Sequence, residues 1–409
     1  MFSKLRVIVV LGVGTALGLA IALAAVVVMR HEERRAEPAL DENLVLLAGV
    51  LDRVQTEYVD ALDERQLVEG AIRGIMAELD EHSRFLDAAE YEDIRIATGG
   101  SYTGVGLDLR LRDGLITVIE PLAGAPAYEA GILPGDVVVS IDAVPVDGQD
   151  VAATINRMRG AAGTPITLDV MRAGELAPRR FALVRAEIEV ETVRSAYLGD
   201  GYAYVRLSGF ADDTRDDLER ATTELRAAAG EDLRGVVLDL RDNPGGVLDS
   251  AVEVADLFLE AGLIVRGDGR IRQARFAQYA HAGDALERVP VAVLVNGGSA
   301  SGAEIVAGAI QDHARGRIVG ERTYGKSSVQ SVLPLAGGNA LKLTTSRYLM
   351  ASGESISGHG IEPDVLVVDA DGPRYVPGSE GPEAIAADVQ LEQALHTIGY
   401  DPIELSRVP

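Results

Sequence analysis

The sequence contains no cysteine, which excludes disulfides, a thiolate nucleophile and cysteine-ligated zinc or iron–sulfur sites. Positive charge is in short supply: 38 Lys and Arg face 63 Asp and Glu, for a formal net charge of -25 at pH 7. Nucleic acid is thereby excluded as a partner, because neutralising its phosphates takes clustered Lys and Arg. Solubility is a sufficient reason for the acid excess. Lysine is scarcer still, with Lys4, Lys326 and Lys342 the only three in the chain. No motif points to a metal ion or other cofactor.

What the chain does have is length and apolar content. Its 409 residues, 47% of them hydrophobic, can build more than one core, and two or three domains are expected. Between Arg6 and Arg30 lie 23 uncharged residues, 7–29, "VIVVLGVGTALGLAIALAAVVVM". At 1.5 Å per residue such a helix crosses a hydrocarbon layer of about 30 Å. A cleavable signal has a shorter apolar core and a small-residue cleavage site, so an uncleaved transmembrane anchor is expected. Lys4 and Arg6 precede it; Arg30, Arg34 and Arg35 follow, partly offset by Glu32 and Glu33. This bias predicts a single-pass protein of the cell envelope, its N-terminus inside the cytoplasmic membrane and all that follows on the outer side.

Residues 38–97 read as helical. Leu47, Val50, Leu51, Val54 and Tyr58 fall on one face, and Leu67, Ala71, Ile72, Ile75, Met76 and Leu79 repeat the pattern after the polar "DALDER". The stripes predict helices packed on each other or on a second copy. From 98 to 186 short alternating strands dominate, with "RDG" as a hairpin turn and "AGILPGD" joining a short helix to a strand. This module resembles a PDZ domain. In that resemblance Thr103, Gly104, Val105, Gly106 and Leu107 form the loop whose N–H groups receive a peptide's C-terminal carboxylate. The helix 150–158 walls the groove into which the peptide adds as a strand.

From 187 to 366 strands and helices alternate: strand 201–210, helix 216–230, strand 234–246, helix 247–259, strand 291–298 and helix 302–313. A layered α/β core is implied. The tail from 367 to 409 is acidic, contains one helix-like run at 384–398, and is expected to be loosely attached.

The run "NGGSASGAE" (296–304) turns from an apolar strand through small residues into a helix, a place where backbone N–H groups favour developing negative charge. Ser299 and Ser301 are its candidate nucleophiles. The bases available are a histidine among His281, His313 and His359, or a lysine. The G-x-S-x-G spacing of a nucleophile elbow fails at its last position, where Ser301 stands. Lysine serves as a base only when neutral, and its ordinary pKa of about 10.4 means that the charged form must be disfavoured by about 4 kcal/mol. A dry pocket without a carboxylate partner achieves this. Lys326 lies in a stretch, 324–335, without an acid, and Gln330 shares its face. "DNPGG" (242–246) ends a buried strand with two glycines whose N–H groups can approach a substrate carbonyl.

In their order along the chain these features resemble one family, the carboxyl-terminal processing, or tail-specific, serine peptidases of the Ser–Lys type. The resemblance runs from about Leu44 to Val365. It implies Ser301 in "GSASGAE" as nucleophile, Lys326, 25 positions on in "YGKSSVQ", as general base, and Gln330 as the orienting amide. "LRDNPGG" (240–246) resembles the family's oxyanion-loop motif, so Gly245, Gly246 and Gly302 would supply donors. "SGHGIEPDV" (357–365) and "LDEHSRFL" (79–86) resemble two further family motifs. The resemblance implies a ClpP/crotonase-like α/β peptidase core, protein substrates with apolar C-terminal tails, and no cofactor. Arg159 resembles a position that couples PDZ occupancy to activity.

Ser327 and Ser328 depart from a usual glycine, "MASGESI" (350–356) lacks the usual proline, and Glu81 stands where proline is common. A non-catalytic, membrane-tethered PDZ scaffold and a Ser-His-Asp hydrolase stay open as alternatives. So do an adaptor protein and a homo-oligomer.

Overall fold

The computed structural model describes residues 38–400 apart from 113, 147–150, 231, 369–371, 373 and 378–381. The apolar run at 7–29 lies outside the described residues, and among those described no helix is long and apolar enough to cross a membrane. The chain divides into two units, Met1–Leu79 and Asp80–Pro409.

The first unit holds the helices Pro38–Glu57 and Glu64–Ala77. Asp63 caps the second by accepting the Gln66 N–H at 3.1 Å, which satisfies one of the orphan donors of the first turn. The apolar stripe is incompletely covered: Leu47, Val50, Ile75 and Leu79 are exposed, Leu51, Val54, Leu67 and Ile72 are half-buried, and Met76 is the only described apolar residue of the unit that is buried.

In the second unit the β-rich module is a six-stranded antiparallel sheet. The hairpin Leu107–Arg112 and Leu115–Pro121 leads through Val137–Ile141 to Pro165–Met171 and Arg179–Val184. Alternation does the sorting. Ile166, Leu168 and Val170 are buried while their neighbours are not, as a two-residue side-chain period requires when one face is covered. The helix Val151–Met158 covers that face through Met158. Asp136, in the Pro–Gly turn, is buried but answered by Arg172 at 2.7 Å and by the Leu133 N–H at 2.9 Å.

The larger core is a six-stranded sheet in the order Val193–Gly199, Tyr202–Leu207, Gly235–Asp239, Val291–Val295, Gly316–Gly320, Val365–Leu366, parallel except for its first pair. Gly235–Asp239 and Val291–Val295 are buried at every position, the mark of strands covered on both faces. Val236, Leu238, Val291, Val293 and Val295 pack under the helices Thr214–Ala228, Leu248–Asp256 and Gly302–Asp312. Their alternates Val237, Ala292 and Leu294 face the helix Val389–Thr397 through Leu391, Ala394 and Leu395.

This overturns the expectation of a loosely attached tail. Full burial of Leu391 and Leu395 stabilises by about 1.5–3 kcal/mol each. The acidic Asp388 is spent inside, on the buried guanidinium of Arg241 at 3.0 and 2.8 Å. The helix-like run is also divided at Asp388 into Pro382–Ala387 and Val389–Thr397.

A second, antiparallel sheet runs Arg84–Leu86, Ala340–Met350, Gly262–Gly269, Phe276–Ala280, with Ser328–Pro334 also paired to Ala340–Met350. It carries the lysine segment to the N-terminus of the helix Gly302–Asp312.

Candidate active site

Strand Val291–Val295 ends in a turn that the two serines serve differently. Ser299 is fully buried; its hydroxyl donates to the Leu240 carbonyl at 2.7 Å and accepts the Asn296 N–H at 3.0 Å. It is a turn hydroxyl. Ser301 stands at the helix N-terminus with φ 55° and ψ -112°, a strained conformation for a residue with a Cβ. Its side chain is only partly covered.

Glu304, three residues on, explains how that strain is held. Its carboxylate is fully buried and accepts four hydrogen bonds. Oε2 takes the N–H of Ser301 at 2.9 Å and that of Lys326 at 2.9 Å; Oε1 takes the Thr323 hydroxyl at 2.6 Å and the Gly325 N–H at 2.7 Å. Two segments far apart in sequence thus meet on one oxygen. Burial pushes this carboxyl above its ordinary range, and those four hydrogen bonds hold the rise in check. Tyr348, buried and on Ala340–Met350, donates to the carbonyls of Lys326 and, at 3.4 Å, Ser301. Neither Glu304 nor Tyr348 was singled out by sequence. The S-x-x-E spacing of a capping box was the available sign of the first; nothing local marks the second.

The Lys326 amine is lowered by burial, and lowered further by the Lys342 ammonium, against the opposing pull of Glu304. The acid-free stretch around Lys326 is therefore only half of the electrostatics, since a carboxylate arrives from another segment. Among the described residues no hydrogen bond joins Ser301 Oγ to Lys326 Nζ. The Gln330 amide donates to Ser328 Oγ at 2.9 Å and Thr344 Oγ1 at 3.3 Å, with no hydrogen bond to Lys326.

The glycine loop departs from expectation at one residue. Gly245 does not offer a donor: its N–H is taken by the Asn243 side chain at 2.9 Å, inside the protein. Its role is space, because a Cβ there would lie 2.7 Å from Ser301 Cβ and 2.9 Å from Gly302 N, and its φ of 98° disfavours any other residue. Phe210 bridges to Gly246, with the Phe210 N–H on the Gly245 carbonyl at 3.2 Å and the Val247 N–H on the Phe210 carbonyl at 2.8 Å. In such a bridge the central residue's own N–H and C=O point away from the partner. Among the described residues no hydrogen bond takes up the N–H of Gly246 or Gly302, which leaves these two as the available donors.

Among the described residues no hydrogen bond joins His281, His313 or His359 to Ser301. His281 is exposed and pairs with Asp256 at 2.9 Å, His359 is exposed with its ring 3.1 Å from the Ser357 carbonyl, and His313 caps the opposite end of the Ser301 helix. Eleven residues put that end about 16 Å away. Among the described residues no group of three or more His, Asp or Glu could hold a metal ion.

In the β-rich module Gly104, Val105, Gly106, Leu107 and Arg159 line a cavity of about 200 Å³ together with Tyr102, Leu109, Ile155 and Met158. Thr103 does not line it; it sits opposite Glu187 in a separate two-stranded ladder. No hydrogen bond among the described residues takes up the N–H of Val105 or Gly106. Gly106 is required as glycine, with φ 73° and a Cβ position 2.2 Å from that of Ala125. Arg159 bonds Asp93 and, at 3.1 Å, Asn156.

Residues 201–367 match peptidase family S41, and residues 117–172 match the PDZ domain. A carboxy-terminal-processing protease of Bartonella bacilliformis is 42% identical over 327 residues, 80% of this chain and 75% of that protein. The carboxy-terminal processing protease CtpB of Bacillus subtilis is 29% identical over 385 residues, covering 90% and 78%. A solved candidate S41 protease from Bacteroides fragilis shares the fold, with a TM-score of 0.52 at 17% identity, over 88% of this chain and 97% of the other.

Proposed function

This chain belongs to peptidase family S41, among the carboxy-terminal processing serine proteases, and from that membership we propose how it cleaves. The PDZ groove captures the apolar C-terminal tail of a protein substrate, its carboxylate received at Val105 and Gly106. Ser301 Oγ attacks the scissile carbonyl carbon as its proton passes to the neutral Lys326 amine. The resulting oxyanion is received by the Gly246 and Gly302 N–H groups. The C–N bond then breaks, the leaving nitrogen takes the proton from Lys326, and an acyl-enzyme remains. Water, deprotonated by the same amine, hydrolyses the ester.

The observation that carries this reading is the Glu304 oxygen shared by the N–H groups of Ser301 and Lys326. The two nitrogens lie no further apart than twice 2.9 Å, which sets the two backbones side by side; in the arrangement proposed, rotation of the lysine side chain then brings base to nucleophile. Gln330 orients the amine in the closed arrangement. The run at 7–29 anchors the enzyme in the cytoplasmic membrane with its catalytic part outside, and the incompletely covered stripe of the first unit supports a homo-oligomer. An adaptor protein is compatible with the exposed PDZ groove.

The test is cleavage of a fluorogenic peptide with an apolar C-terminal tail. Ser301→Ala and Lys326→Ala each reduce cleavage to background while tail binding, read by anisotropy, persists. Undiminished cleavage by Lys326→Ala would refute the dyad. A non-catalytic scaffold predicts no cleavage by the wild-type protein.

A further inference from the structure

The antiparallel sheet beside the site carries a cationic groove that the proposed chemistry does not use. Arg266 lies directly across from Leu349, and Asp268 across from Arg347; cross-strand partners share a face. Arg270 and Arg275 join them from the turn after Gly269. Two cavities of about 580 Å³ each adjoin along this face and share Asp268, Arg275 and Leu349 in their walls.

The charge there is not balanced. Asp268 answers Arg275 at 3.4 Å. Asp80, the other acid in the wall, is occupied by the His82 and Ser83 N–H groups at 2.9 and 2.8 Å and by the Thr344 hydroxyl at 3.2 Å. Arg266, Arg270 and Arg347 make no ion pair and no side-chain hydrogen bond among the described residues. On a chain of net charge -25 this is a local reversal of sign, and such a concave patch attracts anionic ligands. Free solvation of three arginines would explain a scattered set, but these converge on one groove. The groove also reaches the site: Thr344, in its wall, accepts the Gln330 amide at 3.3 Å, and the Gln330 strand begins two residues after Lys326.

We propose that this groove binds an acidic stretch of the protein substrate, apart from the tail held by the PDZ domain. The inference rests on the peptidase reading above. An extended segment presents alternate side chains about 7 Å apart on one face, a spacing suited to successive arginines across a sheet.

Two peptides with the same apolar tail, one with a Glu-rich and one with a Gln-rich internal stretch, test it. Cleavage is read with the wild-type protein, and binding with Ser301→Ala. At low salt the Glu peptide is preferred by about tenfold, mainly through KM, and the preference closes as salt screens exposed charges. In the double variant Arg266→Gln/Arg347→Gln the ratio falls to about one. Equal kcat/KM for the two peptides, or a ratio that survives in the variant, overturns the proposal. So does a changed sedimentation of the variant alone, which would mark the groove as a contact between copies. Glu-preferring binding without cleavage of either peptide would uphold the groove and sink the peptidase reading instead.

Discussion

Glu304→Gln removes one charge from the centre of the site without changing its shape. The carboxylate accepts four hydrogen bonds, whereas an amide offers one accepting oxygen and a donating NH₂. Seated with its oxygen toward Ser301 and Lys326, the amide keeps both of those N–H bonds. The NH₂ can then donate to Thr323 Oγ1, whose rotatable hydroxyl proton must turn to another acceptor, but it opposes the Gly325 N–H, and one fixed buried donor is left unpaired at about 1–3 kcal/mol. The reverse seating orphans two donors and costs about twice that, so the first prevails and the fold survives.

The catalytic consequence has a definite sign. Glu304 favours the charged form of Lys326, so its neutralisation lowers the lysine pKa further. In the proposed dyad attack requires the neutral amine, and the limb of kcat/KM that rises with pH therefore moves to lower pH in Glu304→Gln. The measurement is a pH profile on the tailed peptide, paired with urea unfolding. The stability curve carries its own signature. Because burial raises the folded Glu304 carboxyl, its contribution to stability is full below the unfolded carboxyl value and is lost as pH rises through the folded one. Glu304→Gln is flat across that window. A rising limb that stays in place, or moves to higher pH, would refute the electrostatic link between the two residues.

Three further outcomes follow from the same geometry. Lys342→Gln removes a repulsion that helps lower Lys326 and moves the rising limb to higher pH, opposite to Glu304→Gln. Asp388→Ala strips the fully buried Arg241 of one of its two carboxylates and orphans the Tyr375 and Leu391 N–H groups; urea unfolding reports a loss of about 3–5 kcal/mol. Gly245→Ala places a methyl 2.7 Å from Ser301 Cβ at a positive φ, so peptide cleavage drops at least about 100-fold while tail binding at the PDZ groove, whose walls do not include Gly245, holds.

Much of the candidate site stood out in the sequence by residue type. Ser301 in a small-residue turn and Lys326 among three lysines stand out against a chain rich in arginine and acid. Gly106 and Gly245 announce themselves because close approach and positive φ leave no other choice. Gly245 was still misread as a donor, since only the fold shows that the Asn243 side chain takes its N–H first. The tail was misread for a related reason: its acids suggested a solvated segment, while Asp388 is neutralised by an arginine 147 positions upstream.

By itself the sequence determined the alternation of strands and helices and the PDZ module, and it singled out Ser301 and Lys326 as candidate nucleophile and base, because periodicity, turn chemistry and reactive side chains are local properties. Tertiary structure alone decided that Glu304 holds both partners, that Tyr348 grips their carbonyls, and that the C-terminal helix seals the second face of the sheet. Those are contacts between segments far apart in the chain, created when a parallel sheet buries both its faces, and no spacing along one segment encodes them.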